Sequence, residues 1–232
     1  KAYELNKEEK WYTMAYLNAL SVLEDYDGMK AVIGERMEAE PGEVEWEYQM
    51  ATVYASAGKF KKAIKKAEKI EREKGFSEKI TLLKASIYEE QGNYENALEE
   101  IEKMLSLFPE AIQFRVVAAE LCLNNGMEER AAEYYREILV SDSTNIFALT
   151  NLTEYYRQRE EYGKSLYYLS KSFENQSIDL KKKVAILSYY LNEGDYVNRY
   201  EKELEAVMEA VIHSHGDDNP FSHSRLRWLD SD

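Results

Sequence analysis

Cysteine is almost absent: Cys122 is the only one in 232 residues, which excludes a disulfide or a thiolate metal cluster within one chain. Proline occurs only at Pro41, Pro109 and Pro220, glycine occurs ten times, and no serine-rich or low-complexity tract is present. Composition therefore marks no internal domain boundary. No apolar run reaches the length of about 18 residues that a membrane-spanning helix needs, and Lys1 to Glu9 lack the apolar stretch of a signal peptide. Positive charge is in deficit, with 30 Lys and Arg against 44 Asp and Glu and a net charge of -14. Such a chain repels a phosphate backbone, so a nucleic-acid partner is disfavoured. Catalytic signatures are missing as well: there is no G-x-S-x-G, no phosphate loop and no H-E-x-x-H. The adjacent acids Glu99 with Glu100 and Glu160 with Glu161 project apart on a helix and read as solvated faces rather than an acid and base pair.

What is present is a period. Tyr26, Phe60, Tyr94, Tyr162 and Tyr196 fall on one lattice with a step of 34 residues, and the same step carries Ala63 to Ala97, Ala131 and Ser165. Within a period the pattern is helix, tight turn, helix. Met50, Ala51 and Tyr54 follow helical spacing, Gly58 interrupts, and Phe60, Ala63, Ile64, Ala67 and Ile70 resume it. The turn position is held by Gly58, Gly92, Gly126 and Gly194, where a left-handed backbone ends the first helix at low steric cost, and by Glu24 and Glu160 in the other two units. Pro41 and Pro109 stop the second helix; Gly75, Ser143 and Ser177 take that place elsewhere. Small residues face one another between the two helices: Ala51 with Ala63, Ala85 with Ala97, Ala119 with Ala131, Thr153 with Ser165. These pairs let two backbones approach closely. Leu17 with Met29 and Leu187 with Arg199 replace them at the ends, as expected of terminal repeats.

Tyr54, Gly58, Phe60 and Ala63, then Tyr88, Gly92, Tyr94, Ala97 and Pro109, resemble the signature of the tetratricopeptide repeat family in sequence and order. The resemblance covers Lys10 to Ile212 as six units, with Glu128 in place of the aromatic in the fourth and Arg199 in place of the small residue in the sixth. It implies an all-α fold: a right-handed α-solenoid superhelix of about six helix-turn-helix units, in one array over residues 1–232. Residues 1–9 read as the last turn of a preceding repeat, 10–212 as six repeats with an extended final helix, and 213–232 as a tail or cap. The expectation is that the chain begins inside a longer array. The compartment stays open between cytoplasm and a periplasmic or envelope-associated setting, for a segment that reads as soluble.

The remaining candidates are surfaces. His213, His215 and His223 cluster near the C-terminus beside Asp217 and Asp218, but in a stretch rich in Gly, Asp, Asn and Ser that lacks the rigid placement metal ligands need, so no metal and no cofactor is expected. Cys122 shares the inward lattice position of Tyr54, Tyr88, Tyr156 and Tyr190 and reads as a small buried hydrophobe. In the second repeat, Lys61, Lys62, Lys65, Lys66 and Lys69 form an outward basic stripe. The glutamates of the next repeat, Glu95, Glu99, Glu100 and Glu102, are the expected counter-charges, with a contact for an acidic partner or anionic lipid as the alternative.

In the resembled family the first helices line a concave groove. Here that lining includes Tyr48, Thr52, Leu82, Ser86, Glu89, Val116, Glu120, Leu123, Glu154 and Gln158. Family members that hold a C-terminal carboxylate do so with Lys, Arg and Asn at these positions; Tyr48, Leu82 and Val116 with Glu120 and Glu154 do not provide that clamp. An extended or helical segment with apolar anchors and some basic residues suits the lining better. The expected function is a non-catalytic protein-interaction scaffold holding a partner protein or peptide in the groove. The rival is an accessory repeat region of a longer enzyme or sensor whose catalytic domain lies outside this segment.

Overall fold

First helices begin at Lys10, Val44, Glu78, Ile112, Ile146 and Leu180, each 34 residues after the last, in the computed structural model, which describes residues 10–191 and 194–215. The chain divides into two compact units, Lys1–Pro109 and Glu110–Asp232. The first contains α1 (Lys10–Val22), α2 (Tyr26–Ala39), α3 (Val44–Ser56), α4 (Phe60–Lys74), α5 (Glu78–Glu90) and α6 (Tyr94–Leu107). The second contains α7 (Ile112–Asn124), α8 (Glu128–Ser141), α9 (Ile146–Gln158), α10 (Tyr162–Phe173), α11 (Leu180–Leu191), α12 (Gly194–Arg199) and α13 (Glu201–His215). Every regular element among the described residues is an α-helix, and successive pairs pack as helix-turn-helix units, which is the solenoid construction the period implies.

The turn inside each pair is one hydrogen-bonded device repeated. Its central residue is left-handed, with φ of 67° at Gly58, 69° at Gly92 and 73° at Gly126, and also 55° at Glu24 and 58° at Glu160. The next N–H then closes back on the carbonyl five residues earlier, from Asp25 to Leu20, Lys59 to Tyr54, Asn93 to Tyr88, Met127 to Cys122 and Glu161 to Tyr156, at 2.8–2.9 Å. That bond satisfies a carbonyl the first helix would leave orphaned. Side-chain caps start several helices: Asp25 accepts from Gly28 N–H at 2.9 Å, and Asn145 from Ala148 N–H at 3.2 Å. Gly194 departs from the pattern, being the first residue of α12 rather than a turn residue. The left-handed backbone costs about 1–2 kcal/mol at a residue with a Cβ. Glu160→Gly should therefore raise stability by about 1 kcal/mol and Gly92→Ala lower it comparably, read as urea-midpoint shifts at unchanged slope.

Close helix approach follows from the small pairs. Ala51, Ala63, Ala97, Ala119 and Ala131 are all buried, and the Ser165 hydroxyl donates to the Thr153 carbonyl at 2.9 Å, so the one polar pair is satisfied where the backbones meet. Around these contacts the apolar faces of neighbouring pairs join. Leu17, Leu20, Met29, Val32, Ile33, Trp46 and Val53 form one cluster, and Ala67, Ile70 and Ile80 another. Ala97→Leu should overpack the approach to Ala85 and cost roughly 1–3 kcal/mol in a denaturant melt; a melt unchanged within error would contradict this packing.

Two buried lysines organise what the apolar pattern does not. Lys84 on α5 lies 2.8 Å from Glu71 on α4 and 2.6 Å from Glu100 on α6, and Lys103 reaches Glu100 at 2.8 Å. Glu100 is buried, which corrects its reading as part of a solvated face. Burial pushes the Lys84 ammonium pKa down, but hydrogen bonds to Glu100 and Glu71 outweigh it and leave the value raised. Removing the cation strands two carboxylates. Lys84→Met should cost about 3–5 kcal/mol in urea denaturation, and Glu71→Gln with Glu100→Gln in the same chain should recover much of the loss.

Lys183 on α11 has no carboxylate partner. Its ammonium donates to the Phe173 carbonyl at 2.6 Å, the Asn175 carbonyl at 2.8 Å and the Ser214 hydroxyl at 2.7 Å, tying the end of α10 to α13. The sequence predicts a single extended helix here. Instead Tyr200 separates α12 from α13, and Leu204, Val207 and Val211 of α13 pack on Leu166, Leu169 and Phe173 of α10 and on Leu187 and Tyr190 of α11. The segment after His215, including His223 and Phe221 to Leu229, lies outside the described residues.

Candidate partner-binding surfaces

In the first unit, Tyr48 and Thr52 stand on α3 and Leu82, Ser86 and Glu89 on α5. Tyr48 is half-buried against the apolar clusters. Lys79 sits 5.6 Å from its ring centroid and 3.3 Å from Glu45, which also accepts from the Gln49 amide at 2.9 Å. The hydrogen bond from Gln49 holds the Glu45 carboxyl below the ordinary glutamate range, opposed by burial and helped by the Lys79 ammonium. Thr52 returns its hydroxyl to the Tyr48 carbonyl and Ser86 its hydroxyl to the Leu83 carbonyl. This face thus combines an aromatic plate with a paired cation at its edge. Sequence reasoning named Tyr48 but missed Glu45 and Lys79, although they occupy one lattice position in adjacent repeats.

In the second unit, Val116, Glu120 and Leu123 stand on α7 and Glu154 and Gln158 on α9. Leu123 is 44% exposed. Glu154 is saturated: Arg157 donates to it at 2.8 and 2.6 Å and the Gln158 amide at 2.9 Å. The Arg157 bond lowers the Glu154 pKa. Of the two acids named on this face, Glu120 has no ion pair among the described residues and Glu154 does. On α11, Ile186 is 42% and Tyr189 59% exposed, two further apolar groups on a first helix that sequence reasoning did not name.

The basic stripe of α4 is divided. Lys66 pairs with Glu47 of its own repeat, and Lys69 lies 3.9 Å from Glu47 and 3.8 Å from Glu73. The counter-charge is therefore α3 of the same pair and not the next repeat, whose Glu100 is committed to Lys84 and Lys103. Lys61 and Lys65 flank a cleft of about 500 Å³, and Lys62 lies 5.9 Å from the Tyr54 ring centroid.

A larger cleft of about 1590 Å³ in the second unit is lined by α8, α10 and α13, with Val140, Tyr167, Ile212 and His213 among its walls. No residue of the predicted groove lines it. Of the described histidines, His213 borders this cleft, while the His215 ring nitrogen lies 3.2 Å from the Ile178 carbonyl. Cys122 is buried, as its inward lattice position predicts.

A sequence model of the tetratricopeptide repeat matches residues 48–112 and 82–146. No curated protein matches the chain. Among solved structures, MamA is 16% identical with a TM-score of 0.50, over 67% of this chain and 91% of its own. YrrB, described as a TPR protein with an unusual peptide-binding site, is 20% identical with a TM-score of 0.45, over 73% of this chain and 88% of its own. MamA from Desulfovibrio magneticus RS-1 is 14% identical with a TM-score of 0.49, over 69% and 90%. At these identities the likeness is one of fold.

Proposed function

Because the chain belongs to the tetratricopeptide repeat family, we propose that it is a non-catalytic scaffold whose first-helix faces hold a polypeptide segment of a partner protein. The observation that carries this reading is apolar area left uncovered on two first helices of the second unit: Leu123 on α7, with Ile186 and Tyr189 on α11. A lone exposed apolar residue needs no explanation, but several on the first helices of one unit form the kind of surface that anchors an extended or helical peptide. Tyr48 and Leu82 supply apolar groups in the first unit, with Thr52 and Ser86 as polar rim there and Gln158 as polar rim in the second. Among the described residues no helix is long and apolar enough to cross a membrane.

Partner character follows from charge. Glu120 brings negative charge to the second-unit face, while Glu154 is neutralised by Arg157. A segment with one or two apolar anchors and flanking basic residues is favoured over an acidic one by like-charge repulsion. A peptide array varying both properties, probed with the full chain, tests this. Basic, singly or doubly apolar peptides should bind best; Leu123→Ser with Tyr189→Ser, or Tyr48→Ala, should weaken them by at least about 1 kcal/mol, and Glu120→Lys should erode the preference for basic sequences. Retention unchanged in all of these variants would overturn the proposal.

A further inference from the structure

We propose that the exposed half of α4, with the cleft beside it, is a second and separate docking surface for an acidic polypeptide segment bearing one apolar anchor. Helix α4 carries seven basic residues against three acidic ones in a chain whose net charge is -14. Two of those basic residues are absorbed internally, since Lys66 and Lys69 meet Glu47. One of the acids is also absorbed, since Glu71 is spent on buried Lys84. Of the five that remain, Arg72 and Lys74 stand in the last turn, and Lys61, Lys62 and Lys65 stand together near the first, with no carboxylate within ion-pair distance of those three among the described residues. An acidic protein that leaves three lysines together without counter-charge has a face that attracts what the rest of its surface repels.

The geometry selects the kind of acid. Between Lys61 and Lys65 the surface opens into the cleft of about 500 Å³, floored by Phe60 and Ile64 of α4 and Tyr88 of α5. All three floor residues are half-buried, so the floor is apolar and held in place by the core beneath. A concave apolar floor between two ammonium groups fits one aliphatic or aromatic side chain with carboxylates on either side of it. It does not fit a planar lipid surface, and the overall charge opposes nucleic acid. Glu68 lines the far side of the cleft, so the carboxylates are drawn toward the Lys61 end and the segment acquires a direction. Lys66 and Lys69 lean toward Glu47 of α3, which leaves the outward side of α4 to the exposed lysines.

The test is fluorescence anisotropy with the full chain and a dye-labelled peptide of Glu and Asp residues around one central Leu. Saturable binding that weakens with added salt is expected. Lys61→Glu with Lys65→Glu should weaken it at least about tenfold, and replacing the central Leu of the peptide by Gly should do likewise. Lys61→Gln with Lys65→Gln should give an intermediate loss, with helical content by circular dichroism unchanged in every variant. Leu123→Ser with Tyr189→Ser should leave this binding intact, which separates the surface from the first-helix faces. No saturation, equal binding by the charge-reversed chain, or binding of phosphatidylserine vesicles or single-stranded RNA with none of the peptide would overturn the proposal.

Discussion

Everything in the two units depends on how closely the paired helices approach. At Ala51 with Ala63, Ala85 with Ala97 and Ala119 with Ala131 the side chains are small and buried. With the backbones this near, the larger residues one turn away reach the next pair instead of their own. Leu83 and Ile87 of α5 thereby join Ala51 and Ala63 of the preceding pair in one cluster. The tight turn serves the same end. A left-handed residue followed by the closing bond to the carbonyl five residues earlier fixes where the second helix starts, so the small residues always arrive opposite one another. Two turns achieve this with glutamate, which shows that the geometry is imposed by the packing and not merely permitted by glycine.

The two buried lysines represent opposite electrostatic solutions. Lys84 is held between carboxylates and its pKa is raised, so its stabilisation is fully present at neutral pH and is lost only as pH climbs through that raised value. Lys183 is held by carbonyls and a hydroxyl alone, and burial lowers its pKa. The folded chain then releases that proton before the unfolded chain does, and stability from this group rises with pH up to the ordinary lysine range. The first staples α4, α5 and α6; the second holds α13 against the end of α10. Lys183 also gathers the carbonyls of Phe173 and Asn175, backbone groups that would otherwise end a helix without partners.

Much of this was legible in the sequence because it is periodic. The 34-residue step, the turn residues down to Glu24 and Glu160, and the small pairs all repeat, so each copy supports the reading of the others. What was hidden is what occurs once. Glu100 looked like half of a solvated acidic pair, yet it lies three residues after Ala97 and four before Met104, both buried, and that phase was the available signal. Lys183 likewise stands four residues before buried Leu187. The interruption at Tyr200 and the division after Pro109 carry no local composition signal, and the cleft between α8, α10 and α13 depends on the packing of α13, which the period does not specify. Of the candidate surface, the positions of Tyr48 and Leu123 could be read from the lattice. The neutralisation of Glu154 depended on rotamers of Arg157 and Gln158 that no periodic pattern encodes.

The division of charge on α4 joins fold to function. Had all of its lysines been paired, the helix would be one more solvated face; had none been paired, its roll about its own axis would be set by apolar contacts alone. Pairing of Lys66 and Lys69 with Glu47 of α3 ties the inward-leaning half of the stripe to the partner helix. The remaining lysines then project from a fixed platform, so less ordering entropy opposes any segment that binds there. The first-helix faces follow the same logic with apolar groups, since Tyr48 is half-buried in the clusters that hold α3 and α5 together. In both cases the side chains available to a partner are extensions of those that make the fold.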